Sequence, residues 1–295
     1  MSEVCCYTDT CDKTAQRNSA LKSRKPTASG HGRFLEWTNS SQLVSPCQRD
    51  SLSWYNRLKK GASIIRVFAI GDLHLSLGSA KPMDIFGELW KNHEERIRTN
   101  WLRSITDEDL VLVAGDISWA MKEHEVAPDM SYLAELPGRK VLLKGNHDYW
   151  WATKKRVQAL AGPKCFILQA GALEFDDFVI VGTRGWDQPG YGKPSKDDER
   201  IYHREVERLK LSLREGASFH KPLLAMMHYP PLLSDEKPTL FSTLLEEYQV
   251  RVCVYGHLHG QAHRNRVEGE LCNVKYHLVS ADFLQFDPLQ IDLPL

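Results

Sequence analysis

No apolar run in this 295-residue chain approaches the ~20 residues needed to cross a bilayer; strand-like stretches such as Leu110–Ala114 are short. The first residues lack the basic-then-apolar order of a secretory signal. Neither sign of charge is in excess, since 38 Lys and Arg cancel 38 Asp and Glu. That balance lacks the electrostatic footprint of a polyanion binder, so nucleic acid is not an expected partner. Cysteines are few and unpaired in spacing: there are seven, an odd number, with no CxxC. A disulfide framework and a structural zinc knot are thereby disfavoured, and a reducing, cytoplasmic location is expected. The 42% hydrophobic content is nevertheless enough to bury a sizeable core.

The charge balance conceals two unlike parts. Residues 1–63 hold 10 basic and 5 acidic side chains, whereas 64–295 hold 28 basic and 33 acidic. The first part is rich in Ser and Thr and has neither helical nor strand period. It reads as a disordered leader or a start-site extension, and Glu3, Asp9 and Asp12 argue against an organelle transit peptide. From Ile64 the pattern becomes that of a folded domain. Ile64–Ile70, Leu110–Ala114, Val141–Leu143, Phe166–Leu168, Phe178–Val181, Leu223–Met227 and Val250–Tyr255 read as buried strands. Residues 84–105 and 197–214 read as amphipathic helices, with a shorter one expected after Trp150, and 267–279 as a hairpin turning at Glu268-Gly269. Strands alternating with helices predict an α/β fold with its sheet covered on both faces.

The informative feature is where polar residues fall. Asp72, Asp116, Asn146, His228 and His257 each lie at or just past the carboxyl end of an apolar run, the edge at which open α/β sheets bind ligands. Asp72-Leu-His74 and His257-Leu-His259 are i, i+2 pairs, whose side chains point to one side in extended backbone. One histidine after a strand is ordinarily structural; five such positions with complementary nitrogen and oxygen donors point to a metal site. Carboxylate, imidazole and amide oxygen without thiolate favour Mn, Fe, Zn or Ni over softer ions. Two ions ~3.5–4 Å apart, bridged by a carboxylate, can clamp both oxygens of an in-line displacement.

Gly71-Asp72-Leu-His74, Gly115-Asp116, Gly145-Asn146-His147-Asp148, His228 and Gly256-His257-Leu-His259 resemble, in order and spacing, the five motifs of calcineurin-like metallophosphoesterases. The resemblance covers about residues 64–290, and Gly115–Ala120 with Thr183–Trp186 bring it nearest to a bacterial subgroup of phosphohydrolases. It implies a β-sandwich of two mixed sheets flanked by helices. It also implies two divalent transition-metal ions, Mn foremost, one held by Asp72, His74, Asp116 and His259. Asp116, Asn146, His228 and His257 would hold the other, with Asp116 bridging. His147 would be the histidine that contacts substrate and protonates the leaving group, with Asp148 as its candidate orienting partner.

One departure matters. Protein phosphatases of the superfamily carry an Asp and then an Arg soon after the bridging Asp, where this chain has Trp119 and Ala120. The loss removes a bidentate phosphate clamp suited to monoesters. Arg184 and Trp186, just past a strand, are candidate substrate contacts, against the alternative of a turn with a packing Trp. Residues 187–197, with Pro189, Gly190, Gly192 and Pro194, suit a solvated loop or a lid.

The reading is a metal-dependent hydrolase of small phosphate esters, diesters before monoesters. Nucleotide pyrophosphatase and phosphomonoesterase are the alternatives within the class, and a catalytically silent interaction scaffold is the alternative outside it. Deleting residues 1–60 should leave activity and melting temperature near those of the full chain, whereas deletion through Met83 removes Asp72 and His74 and should abolish activity. A large drop in melting temperature for the shorter deletion would assign the leader to the folded domain.

Overall fold

Strands apolar on both faces can be buried only between two layers, and that requirement sets this architecture. The computed structural model describes residues 65–79, 81–189, 196–235 and 237–293; the expected leader and most of the expected lid lie outside them. Parallel strands β1 (Val67–Ile70), β2 (Leu110–Val113), β3 (Arg139–Leu143) and β4 (Cys165–Leu168) form one sheet in that order. β11 (Leu289–Ile291) is added antiparallel on β1. The second sheet has the order β5 (Leu173–Glu174), β6 (Val179–Thr183), β7 (Leu223–Met227), β8 (Val252–Tyr255), β10 (Val274–Leu278) and β9 (Gly269–Leu271). Its inner pairings are parallel and its two edge pairings antiparallel.

Strand alternation divides the side chains between layers. Val67, Ala69, Leu110, Leu112, Leu224, Met226, Val252 and Val254 share the core between the sheets. Their neighbours Phe68, Ile70, Val111 and Val113 face helices α1 (His93–Ser104), α2 (Glu123–Glu135) and α3 (Lys154–Ala161), through Ile97, Trp101, Val126, Met130 and Val157. On the far side Val179, Val181, Ala225 and Tyr255 pack against α4 (Lys196–Ala217) and α5 (Leu240–Glu247). The result is two mixed sheets flanked by helices. No helix among the described residues is long and apolar enough to cross a membrane.

Three details differ from the sequence reading. The helix expected over 84–105 starts only at His93. Before it lie two 3-10 turns joined at Gly87, whose φ of 126° no helix accommodates, so Ile85 is left exposed. The hairpin turns at Cys272-Asn273, not Glu268-Gly269. Both turn residues have positive φ (49° and 62°), the two-residue turn that matches the twist of paired strands. The C-terminal segment contributes β11 to the sheet; at three residues it is too short to show a period.

Every parallel strand in the two sheets delivers its carboxyl end to one edge of the sandwich. Asp72 follows β1, Asp116 follows β2, Asn146 follows β3, Arg184 follows β6, His228 follows β7 and His257 follows β8.

Candidate metal centre

The loops leave the strands in unusual backbone states. Asp72, His74, Asp116 and His257 all have left-handed φ, at 55°, 45°, 49° and 74°. Asp and His tolerate this region better than most residues, and such conformations concentrate at functional sites. The paired residues therefore converge through kinks, not through the extended backbone expected. The second pair also divides: His257 and His259 serve different halves of the cluster.

One half is built from Asp72, His74 and His259. Nε2 of His74 lies 3.2 Å from Nε2 of His259, which is 3.6 Å from Oδ1 of Asp72. In the other half, Oδ1 of Asn146 lies 2.6 Å from Nε2 of His228 and 3.0 Å from Nδ1 of His257. Between them stands Asp116. Its Oδ1 accepts the His147 amide at 2.8 Å, while Oδ2 faces Nε2 of His74 at 3.8 Å and Nε2 of His228 at 3.5 Å. All seven residues singled out as metal ligands in the sequence are thus drawn into one cluster, and Asp116 Oδ2 adjoins both halves.

The donor atoms fit dications. Nδ1 of His228 donates to the Ala114 carbonyl at 3.0 Å, which leaves the Nε2 lone pair directed at the Asn146 oxygen. A nitrogen and an oxygen lone pair set this close can both serve one cation. His259 is fixed in the same way: its Nδ1 lies 3.0 Å from Asp282 Oδ1, so its Nε2 faces the cluster. The other Asp282 oxygen accepts the Gly260 amide at 3.0 Å and lies 3.2 Å from Nε2 of His263. Carboxylate–histidine pairs of this kind orient metal ligands. Asp282 was missed in the sequence, although it follows shortly after a buried strand as the ligands do.

Crowding of buried carboxylates and imidazoles shifts their pKa values. Burial raises Asp116, and the nearby Asp72 charge raises it further, to about 8. Burial opposes the ionised form of Asp72 as well, yet His259 and the other imidazoles hold it far below the usual carboxylate range. Burial lowers His74 and His228, and takes His257 to about 3. His259 goes the other way: despite burial, its bonds to Asp282 and Asp72 raise it to about 10. The two raised groups, Asp116 and His259, favour their protonated forms, which a metal would have to displace.

His147 stands at the rim, half-buried, with its ring centroid 4.4 Å from that of Trp119. Trp119 also stacks on His74 at 4.9 Å and 22°. The expectation that Asp148 acts with His147 is corrected. Asp148 is fully buried and accepts four bonds, from the amides of Ile117, Ser118 and Gly145 and from Nε1 of Trp150. It ties two ligand loops together, and Nδ1 of His147 is buried without a partner among the described residues. Arg184 lies beside the centre, its carbonyl accepting the His228 amide at 3.1 Å. Its guanidinium lies over Trp186, 4.6 Å from the ring centroid, and 3.6 Å from Glu205. Trp186 reaches the centre only through other rings, Tyr229 at 5.2 Å and then His257 at 4.0 Å from Tyr229.

The model of the family described as calcineurin-like phosphoesterase matches residues 65–261. Among solved structures, the phosphopantetheinyl hydrolase of Mycobacterium tuberculosis is similar at a TM-score of 0.50 and 17% identity, over 78% of this chain and 96% of that one. A protein of unknown function from Aquifex aeolicus matches at 0.43 and 16%, over 77% and 95%. A 5'-nucleotidase, so described provisionally, from Staphylococcus aureus matches at 0.42 and 16%, over 72% of this chain and 48% of its own. No curated protein matches.

Metal uptake should carry a proton signature. With Asp116 raised to about 8 and His259 to about 10, both are expected to carry protons at pH 7 before a metal binds. A dication ligated by both must expel them, so uptake should release about two protons per chain. Affinity should therefore rise as pH increases toward these values and fall as it decreases. Calorimetry in buffers of differing ionisation enthalpy measures the release; uptake without it would remove these two residues from the ligand set.

Proposed function

Since the chain belongs to the calcineurin-like phosphoesterase family, and so is a phosphoric ester hydrolase, we propose that it cleaves small phosphate esters, diesters in preference to monoesters, with two divalent transition-metal ions. Asp72, His74, Asp116 and His259 would hold one ion, and Asp116, Asn146, His228 and His257 the other. The observation that carries this reading is the position of Asp116 Oδ2, within 3.8 Å of a ligand nitrogen in each half. Mn is the favoured metal, and Fe, Zn or Ni suit the same nitrogen and oxygen donors. When bound, such ions lower the pKa of water and neutralise charge on phosphoryl oxygens.

The chain's own residues supply the rest. Asp282 and the Ala114 carbonyl fix the ring orientation of His259 and His228. His147 is proposed to hand a proton to the leaving oxygen. Burial, with the neighbouring imidazoles, lowers its pKa, and an arriving phosphate reverses the second effect. Trp119 holds the His147 ring by packing, in the place where protein phosphatases of the superfamily carry a carboxylate. The diester preference rests on the absence of an Arg beside Trp119. Pyrophosphatase and monoesterase activities are the alternatives within the class. A silent scaffold is disfavoured, because all seven ligands are present. A cytoplasmic location is consistent with Cys165 and Cys253, buried and outside any disulfide.

His147→Ala should slow alkyl and nucleoside esters by ~10²–10⁴-fold, the usual contribution of proton donation. It should slow p-nitrophenyl esters far less, since that leaving group departs as the anion. Equal damage to both would assign His147 a positioning role. Bis-p-nitrophenyl phosphate should show a higher kcat/KM than p-nitrophenyl phosphate, and the reverse order would overturn the diester preference.

A further inference from the structure

Beside the metal centre, a cavity of about 260 Å³ opens among the ends of β3, β4 and β6 and the side of α4. Its charged lining is Lys144, Arg184, Arg204, Glu205 and Arg208. Four cations thus face one carboxylate, in a part of the chain where acidic residues outnumber basic ones. The carboxylate is the least accessible of the group. The Glu205 side chain is 1% exposed, whereas those of Arg184, Arg204 and Arg208 are 18%, 50% and 43% exposed.

Glu205 holds the arginines in place. Its Oε2 accepts the Thr183 hydroxyl at 2.6 Å, and its Oε1 lies 2.7 Å from Arg208, 3.6 Å from Arg184 and 3.7 Å from Arg204. One carboxylate neutralises one of four positive charges, so the cavity keeps a surplus. A second observation is independent of charge. Arg184 Nε and Trp151 Nε1, on two residues that line this cavity, are buried N–H donors with no partner among the described residues. Unmet buried donors cost free energy and are seldom left without an acceptor.

We propose that this cavity is an anion subsite that receives a second, uncleaved phosphate of the substrate. The assignment rests on the phosphoesterase reading and narrows it to diesters that carry a further phosphate group. The placement suits that role: Lys144 is two residues before Asn146, and the Arg184 carbonyl binds the His228 amide. An ester positioned at the metal ligands thus lies next to the cationic wall. Guanidinium forks match phosphate oxygens bidentately, which gives the subsite both charge and shape selectivity.

The test uses metal-replete protein and two esters with the same scissile bond: thymidine 5′-(p-nitrophenyl phosphate), with and without a 3′-phosphate. The doubly phosphorylated ester should have the higher kcat/KM, with the gain mainly in KM. Arg204→Gln and Arg208→Gln should each reduce that advantage by ~10-fold, the scale of one lost charge-assisted hydrogen bond. Arg208→Lys, which keeps the charge, should retain part of it. Calorimetric titration with inorganic pyrophosphate should show affinity falling ~10-fold in the two glutamine variants; an anion held by the metals alone would not respond. Thermal melts check that the variants are folded. Equal kcat/KM for the two esters, together with unchanged pyrophosphate affinity in the variants, would overturn the subsite. Turnover of neither ester would instead count against the diester reading, and the titration would still decide whether the cavity binds anions.

Discussion

Asp72 and Asp116 are two carboxylates taken almost wholly out of water and set beside a shared imidazole, His228, with His259 against the first and His74 against the second. Burying one ionised carboxylate is costly, and burying two side by side is untenable without compensating positive charge. The protein alone meets the demand in the least expensive way, with protons. Burial and the Asp72 charge favour the protonated form of Asp116, and the bonds to Asp282 and Asp72 favour the imidazolium at His259. Most of the polar architecture around the centre follows from that constraint. Asp72 accepts the His257 amide, Asp116 accepts the His147 amide, and Asp282 backs His259. Each contact supplies partial or full positive charge to an oxygen that has left water.

The same constraint governs where side chains are forbidden. A Cβ on Gly145 would lie 2.0 Å from Asp116 Oδ1, and one on Gly256 would lie 2.4 Å from Asp72 Oδ2. The ligand loops pass so close to the carboxylates that only glycine fits. Asp148 works from the other side, binding the amides of Ile117, Ser118 and Gly145 so that the loops after β2 and β3 hold one spacing. Rigid loops of this kind preorganise ligands that repel one another, which an unbraced loop would let spread apart.

Much of this was legible in the sequence because the parallel strands are apolar on both faces and stop abruptly at a ligand. Ile70 followed by Gly71-Asp72, or Val254-Tyr255 followed by Gly256-His257, marks both the strand end and its chemistry. What escaped has other physical origins. Helix α2 carries Pro128, and α5 has only eight residues, too few for a clear period. Asp282 touches the centre only through His259, so its type and position carry no ligand spacing. The kinked backbone at Asp72, His74 and His257 is set by tertiary hydrogen bonds, among them His74 N to Asp116 O at 2.9 Å. Asp148 looked available because four of its donors lie on or beside loops whose approach no local pattern announces.

Trp119 shows how a substitution in a motif can change what a neighbour does. A carboxylate against His147 would both aim the ring and raise its pKa, because the charge favours imidazolium. An indole ring can do only the first. It packs 4.4 Å from His147 and stacks on His74, so both imidazole planes are held by apolar contact. Nδ1 of His147 is left without an acceptor among the described residues, and burial lowers its basicity. As the proposed proton donor, His147 must then take its positive charge from the negative charge of the bound ester. Burial and the neighbouring imidazoles favour the neutral ring, and the negative charge of a bound phosphate would favour the protonated one. A permanent carboxylate would favour the imidazolium with or without substrate, whereas packing against tryptophan leaves that charge to be supplied by the bound ester.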